Sequence, residues 1–96
     1  MTPGAASAIM LEPDDDAVAL LRDLSADSVV VVIRAGRDAS GLALARAAIA
    51  ALAPGCAPRR LNAVQPSDAT DPEAIGRAVA YLASAPAVTG QIIALR

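Results

Sequence analysis

The sequence predicts an α/β fold, a small open parallel sheet laid out β-α-β-α-β-α-β, and three observations carry that expectation. Val29-Val30-Val31-Val32-Ile33 is a run of five β-branched residues, which puts apolar groups on both faces of a strand, as in a parallel strand covered above and below. From Arg60 to Leu95, a short apolar strand, a capped amphipathic helix and a second apolar strand follow one another. Such a βαβ unit needs a parallel sheet to dock on. Upstream, apolar runs and helical stripes alternate in the same way, with connections of ordinary length.

Taken in order, residues 1–7, with Pro3 and Gly4, read as a flexible leader, and residues 8–96 as one domain. Ala8-Ile9-Met10-Leu11 is a first strand, ended by Glu12-Pro13. Asp14-Asp15-Asp16 then opens a helix, because carboxylates in a first turn complement the positive end of the helix dipole. Ala17, Leu20, Leu21 and Leu24 form its apolar stripe. The acidic cluster is read as capping rather than as a metal site, since no His or second ligand set accompanies it.

Asp27-Ser28 breaks the helix and the Val-rich strand over 29–33 follows. Residues 34–41 are a turn, and Ser40 is placed to cap a second helix whose inward stripe is Leu42, Ala45, Ile49 and Leu52. Pro54-Gly55 stops that helix. Arg59-Arg60 reads as a solvated pair before a third strand over 61–64. The third helix spans 72–83 with Ile75, Val79 and Leu82 facing inward. Either Thr70, in a capping-box spacing with Glu73, or Asp71, just before Pro72, can cap it. Tyr81, near its end, is expected to be a partly buried packing residue. Ser84-Ala85-Pro86 ends the helix and residues 92–95 form the last strand.

Composition narrows the function classes. A chain of 96 residues buries only about two-thirds of its unfolded surface, and with 55% hydrophobic residues but a single aromatic its core is built of Ala, Val, Leu and Ile. Net charge is −2, and the eight cations are all Arg and form no basic run. That argues against a nucleic-acid partner, which needs concentrated positive charge. Lone Cys56 suits a reducing compartment and reads as an inert thiol. No apolar run approaches the roughly 18 residues of a membrane span, and residues 1–7 lack the basic start of a signal peptide. The expected location is cytoplasmic.

Asn62-Ala63-Val64-Gln65-Pro66, followed by Ala80-Tyr81-Leu82-Ala83-Ser84 and Thr89-Gly90-Gln91, resembles in order and spacing the C-terminal half of the short-chain dehydrogenase/reductase (SDR) family. The resemblance implies a half-Rossmann domain, truncated relative to that family, and NAD(P)-dependent oxidoreductase chemistry in its relatives. It also implies assembly into oligomers through the helices matching residues 40–53 and 72–83 and through the last strand.

The parts that carry the family's chemistry do not map onto this chain. No strand is followed by the glycine-spaced turn that lets a pyrophosphate approach a helix N-terminus. Stepping back from Asn62 by the family's spacing places its Tyr and Lys at Gly36 and Ser40, and the chain has no Lys. The loop bearing the family's catalytic Ser has no room between Arg34 and Ser40. The family's Gly after Pro66 is Ser67, and Thr70 falls one residue short of its cofactor-facing Thr. The resemblance therefore implies no catalytic, cofactor-binding or metal-ligating residue here, and no cofactor held by this chain alone. Gly36 to Gly41, with Arg34 and Arg37 beside a helix N-terminus, is a weaker candidate for holding an anion.

A final expectation concerns cover. Right-handed crossovers running one way across the sheet place all three helices on one side, leaving a greasy face that requires a partner. The leading function is thus a non-catalytic SDR-like subunit or interaction domain, pairing with itself or with a full-length dehydrogenase. The alternatives are an accessory chain completing an oxidoreductase site in a partner, and a small anion- or ligand-binding α/β module. Protein partners are expected, and neither nucleic acid nor membrane.

Overall fold

The structure is a computed structural model that describes residues 7–22, 28–56, 59–85 and 87–96. Leu24, Asp27, Pro86 and most of the expected leader lie outside those residues. Four strands, β1 (Ser7–Leu11), β2 (Ser28–Ile33), β3 (Arg60–Gln65) and β4 (Ile92–Ala94), alternate with α1 (Ala17–Arg22), α2 (Ala39–Leu52) and α3 (Pro72–Ala83). All neighbours pair in parallel and lie side by side in chain order. The expected α/β sheet is present, and every residue of β2 is buried, as a run of β-branched residues at the centre of a parallel sheet requires.

The expectation of a bare face is overturned. Ile9 and Leu11 of β1, Val29, Val31 and Ile33 of β2, Leu61 and Ala63 of β3, and Ile92 of β4 share one core with Ala17 and Leu21 of α1 and Ala45, Ala48 and Ile49 of α2. On the other face, Val30, Val64 and Ile93 pack against Ala78, Val79 and Leu82 of α3. Successive strands always step the same way, so the crossover through α3 has the opposite hand to the two before it. The usual preference for one hand is outweighed here by burial. α1 and α2 already occupy the first face, and a helix crossing to the second removes Val30 and Val64 from water, each to 0% exposure. The connection from Ser84 to Gln91 is long enough to bring the chain back to the sheet.

Local corrections follow from hydrogen bonds. α1 starts at Ala17, not at the acidic cluster: the Asp15 carboxylate accepts from the Glu12 amide (2.8 Å), closing a turn, and Asp16 accepts from the Ala19 amide (3.1 Å). Asp38, not Ser40, caps α2, accepting from the Gly41 amide at 2.7 Å. Asp71 caps α3 through the Glu73 amide (2.9 Å), with Pro72 in the first turn. Thr70 is engaged elsewhere, its hydroxyl accepting from the Ser67 amide at 2.9 Å. Tyr81 is exposed rather than partly buried. Arg60 is not a solvated residue: it belongs to β3 and donates to the Ala85 carbonyl at 2.6 Å.

Candidate functional site at the carboxyl ends of the strands

In open parallel sheets, ligands bind in the crevice outside the carboxyl ends of the strands. Here the turn after β2 (Arg34, Ala35, Gly36, Arg37) meets the loop after β3 (Pro66, Ser67, Asp68, Thr70) and encloses two adjoining hollows of about 220 and 270 Å³. Arg34, Ala35, Pro66, Ser67 and Asp68 line both. Each hollow is smaller than the roughly 300 Å³ at which ordinary ligand pockets begin.

The β2 side of the cleft is set by Gly36, whose φ of +122° disfavours any side chain and whose imagined Cβ would lie 2.9 Å from Pro13 Cγ. Beside it, one terminal nitrogen of Arg37 donates to the carbonyls of Glu12 (2.9 Å) and Asp15 (2.7 Å), tying the turn after β1 to the turn after β2. Arg34 is half exposed and stands 3.9 Å from the Glu12 carboxylate. One terminal nitrogen of Arg37 is thus committed to the chain's own carbonyls while its Nε is buried without a partner, and the positive end of α2 is met by the Asp38 carboxylate. An incoming anion would have to compete with both.

On the β3 side, the Ser67 and Thr70 hydroxyls are 3.2 Å apart, and Ser67 Oγ also accepts from the Ala69 amide at 3.2 Å. These bonds fold the loop on itself, as Ser and Thr commonly do beside a helix start. Among the described residues neither hydroxyl has a carboxylate partner, and the chain has no His. Among the described residues, then, no base is hydrogen-bonded to either hydroxyl, the arrangement that would activate it as a nucleophile. No group of three or more His, Cys, Asp or Glu among the described residues could hold a metal.

The positions singled out by the SDR resemblance separate in space. Gly36 lines the cleft, whereas Ser40 is exposed in the first turn of α2. Tyr81 is 60% exposed and lies nine residues along α3 from Pro72, more than two turns from the cleft. Cys56 is half-buried against the α1–α2 core, beside a separate hollow lined by Leu21, Leu52 and Arg59.

Asn62 has a role that its place in the motif did not disclose. It is 0% exposed in the middle of β3; its amide nitrogen donates to the Val88 carbonyl and its oxygen accepts from the Gln91 amide, both at 3.0 Å. The Thr89 hydroxyl accepts from the Leu61 amide (3.2 Å), and the Gly90 amide donates to the Leu61 carbonyl (2.8 Å). Asn62 and Thr89 thus fasten the connection that lets α3 cross under the sheet. The available signal was a lone amide inside an apolar strand, since a buried amide demands partners.

No helix among the described residues is long and apolar enough to cross a membrane. No curated protein and no solved structure matches the chain. A family model described as short chain dehydrogenase-like protein matches residues 3–95, nearly all of the 96 residues. With a Rossmann-like parallel sheet under those same residues, the chain belongs to the SDR-like, short chain dehydrogenase-like family.

Proposed function

We propose that this chain is a non-catalytic, dehydrogenase-like subunit that acts by associating with protein, either a second copy of itself or a full-length relative. The observation that supports this most is at Gly36, where the family's spacing would place the catalytic Tyr. A positive φ and the ring of Pro13 at 2.9 Å leave no room there for a side chain of any size. General acid catalysis needs a titratable group within reach of the reacting atom, and the neighbouring hydroxyls, Ser67 and Thr70, are bonded to each other and to the loop backbone.

The test has two arms. Purified chain given NADH or NADPH with simple carbonyl substrates should oxidise neither cofactor above the rate in buffer. Native mass spectrometry of the chain expressed in its own cells should find it in an assembly. Turnover by the chain alone, or a folded monomer that captures nothing, would sink the proposal.

A second reading has the chain complete an NAD(P)-dependent site supplied by a partner. It is favoured by the outward opening of the cleft, with Arg34, Ser67 and Asp68 exposed along its rim. On that reading, a partner's NAD(P)H turnover rises when this chain is added; on the first, the partner's rate is independent of it.

A further inference from the structure

β1 is an edge strand, and its free edge has a specific hydrogen-bonding character. The Leu11 carbonyl accepts from the Arg34 amide at 3.0 Å, so Leu11 turns its polar backbone groups toward β2. Backbone groups alternate from side to side along a strand, so Ser7 and Ile9 also address β2, while Ala8 and Met10 point their N–H and C=O groups away from the sheet. Glu12, the next residue with that outward orientation, is already satisfied: its amide donates to the Asp15 carboxylate, and its carbonyl accepts from the Asp15 amide and from Arg37. Among the described residues the unpaired edge is therefore confined to Ala8 and Met10, and these two donors and two acceptors have no partner.

The side chains agree with the backbone. α3 covers Val30 and Val64 but not the part of that face formed by β1, where Ala8 is exposed and Met10 is 48% exposed. Natural edges are usually blunted by a charge, a proline, a bulge or short length. The opposite edge, β4, is only three residues long. β1 is five residues with neither charge nor proline.

From this pattern we infer that β1 is a self-pairing edge, and that its occupant is β1 of a second copy of this chain, antiparallel about a two-fold axis at Ile9. The inference rests on the subunit reading above and names its partner. In an antiparallel ladder, hydrogen-bonded pairs exchange both N–H···O bonds and alternate with non-bonded pairs. Centring on Ile9 sets Ala8 opposite Met10 of the second copy, and Met10 opposite its Ala8, so four new bonds satisfy every free group. Shifting the axis to Met10 opposes Ala8 to the occupied Glu12, and shifting it to Ala8 sets Met10 opposite a position outside the described residues. The same register lays the long Met10 side chain beside the small Ala8 of the other copy, and no like charges meet within Ser7–Leu11. A two-fold contact of this kind closes on itself, giving a dimer with a continuous eight-stranded sheet rather than a fibre.

A five-residue strand is about 17 Å long, so the pairing buries less than the roughly 1,200 Å² of a standard stable interface. The dimer is accordingly reversible and concentration-dependent.

Sedimentation velocity over a wide concentration range, with amide exchange at Ala8 and Met10, tests this. The wild-type chain should pass from monomer to dimer, and both amides should exchange about tenfold more slowly or better in the dimer. Met10→Pro deletes an outward N–H, which an edge strand tolerates, and removes two of the four bonds. It should weaken association by about 10- to 100-fold. If that variant fails to fold by circular dichroism, Met10→Lys, which keeps the amide and adds an edge charge, should do the same. Leu44→Glu, on the exposed face of α2, should dimerise as the wild type does. A dimer lost in Leu44→Glu but kept in Met10→Pro or Met10→Lys overturns the β1 pairing while leaving the subunit reading standing. A wild-type chain that stays monomeric throughout overturns the pairing too. If that monomer also captures no other protein, the subunit reading falls with it.

Discussion

Ile49 and Leu82 are both withdrawn from water, at 0% and 1% exposure, yet they hold opposite faces of one sheet in unlike surroundings. Ile49 sits in a core shared by two helices and all four strands, with Ala17, Ala45, Ala48 and Ala53 letting the helices approach closely. Leu82 sits in a smaller cluster under a single helix, whose return to the sheet depends on the buried amide of Asn62. One face is sealed mainly by apolar burial, with an exposed Arg46–Gln65 hydrogen bond from α2 to β3 beside it. The other combines less burial with polar fastening, and at β1 it leaves Met10 open.

The largest effects should expose that contrast. Ile49→Ala is expected to cost about 2–5 kcal/mol, a large share of the roughly 5–15 kcal/mol that stabilises a typical domain. Leu82→Ala should lie in the same range but nearer its lower end, because the edge of a smaller cluster can relax into the gap. Urea denaturation of both variants measures the difference, and equal losses would mean the two faces are equally close-packed.

Next in size is Asn62→Leu, which keeps the volume but orphans the Val88 carbonyl and the Gln91 amide. The expected cost is about 1–3 kcal/mol for each group left buried without a partner. Exchange of the Gln91 amide should quicken well before that of amides in β2. Unchanged stability would show that the connection from α3 to β4 does not need its polar clamp.

The smallest effect should be a gain. Gly76 lies in the exposed interior of α3, and a Cβ there would meet nothing within 4 Å. Gly76→Ala should therefore raise stability by about 0.5–1 kcal/mol. A loss on thermal melting would mean that the outer surface of α3 is occupied rather than free.

What could be read beforehand was local. The Val-rich run names a central strand whatever its neighbours are. Pro72, the acidic residues around it and the spacing of Ile75, Val79 and Leu82 bound a helix that the structure reproduces at 72–83. Caps were less legible. Ser40, Thr70, Asp38 and Asp71 are all competent acceptors, and which one serves depends on where the chain enters the helix. Of the features that bear on the site, the absence of Lys and of a glycine-spaced turn is visible in one dimension. The Pro13 ring against Gly36, and Arg37 reaching back to Glu12 and Asp15, join residues more than twenty positions apart and leave no periodic trace.

The sequence by itself determined that the chain makes four short apolar strands and three helices in alternation, because strand and helix formation follow from side-chain shape, capping and periodicity within a few residues. Only the tertiary structure decided which face α3 covers, since the hand of a crossover is set by where unburied surface remains once the earlier elements have docked. It also decided that helices cover both faces of the sheet, so that among the described residues the surface left open is the β1 edge at Ala8 and Met10 rather than a whole face.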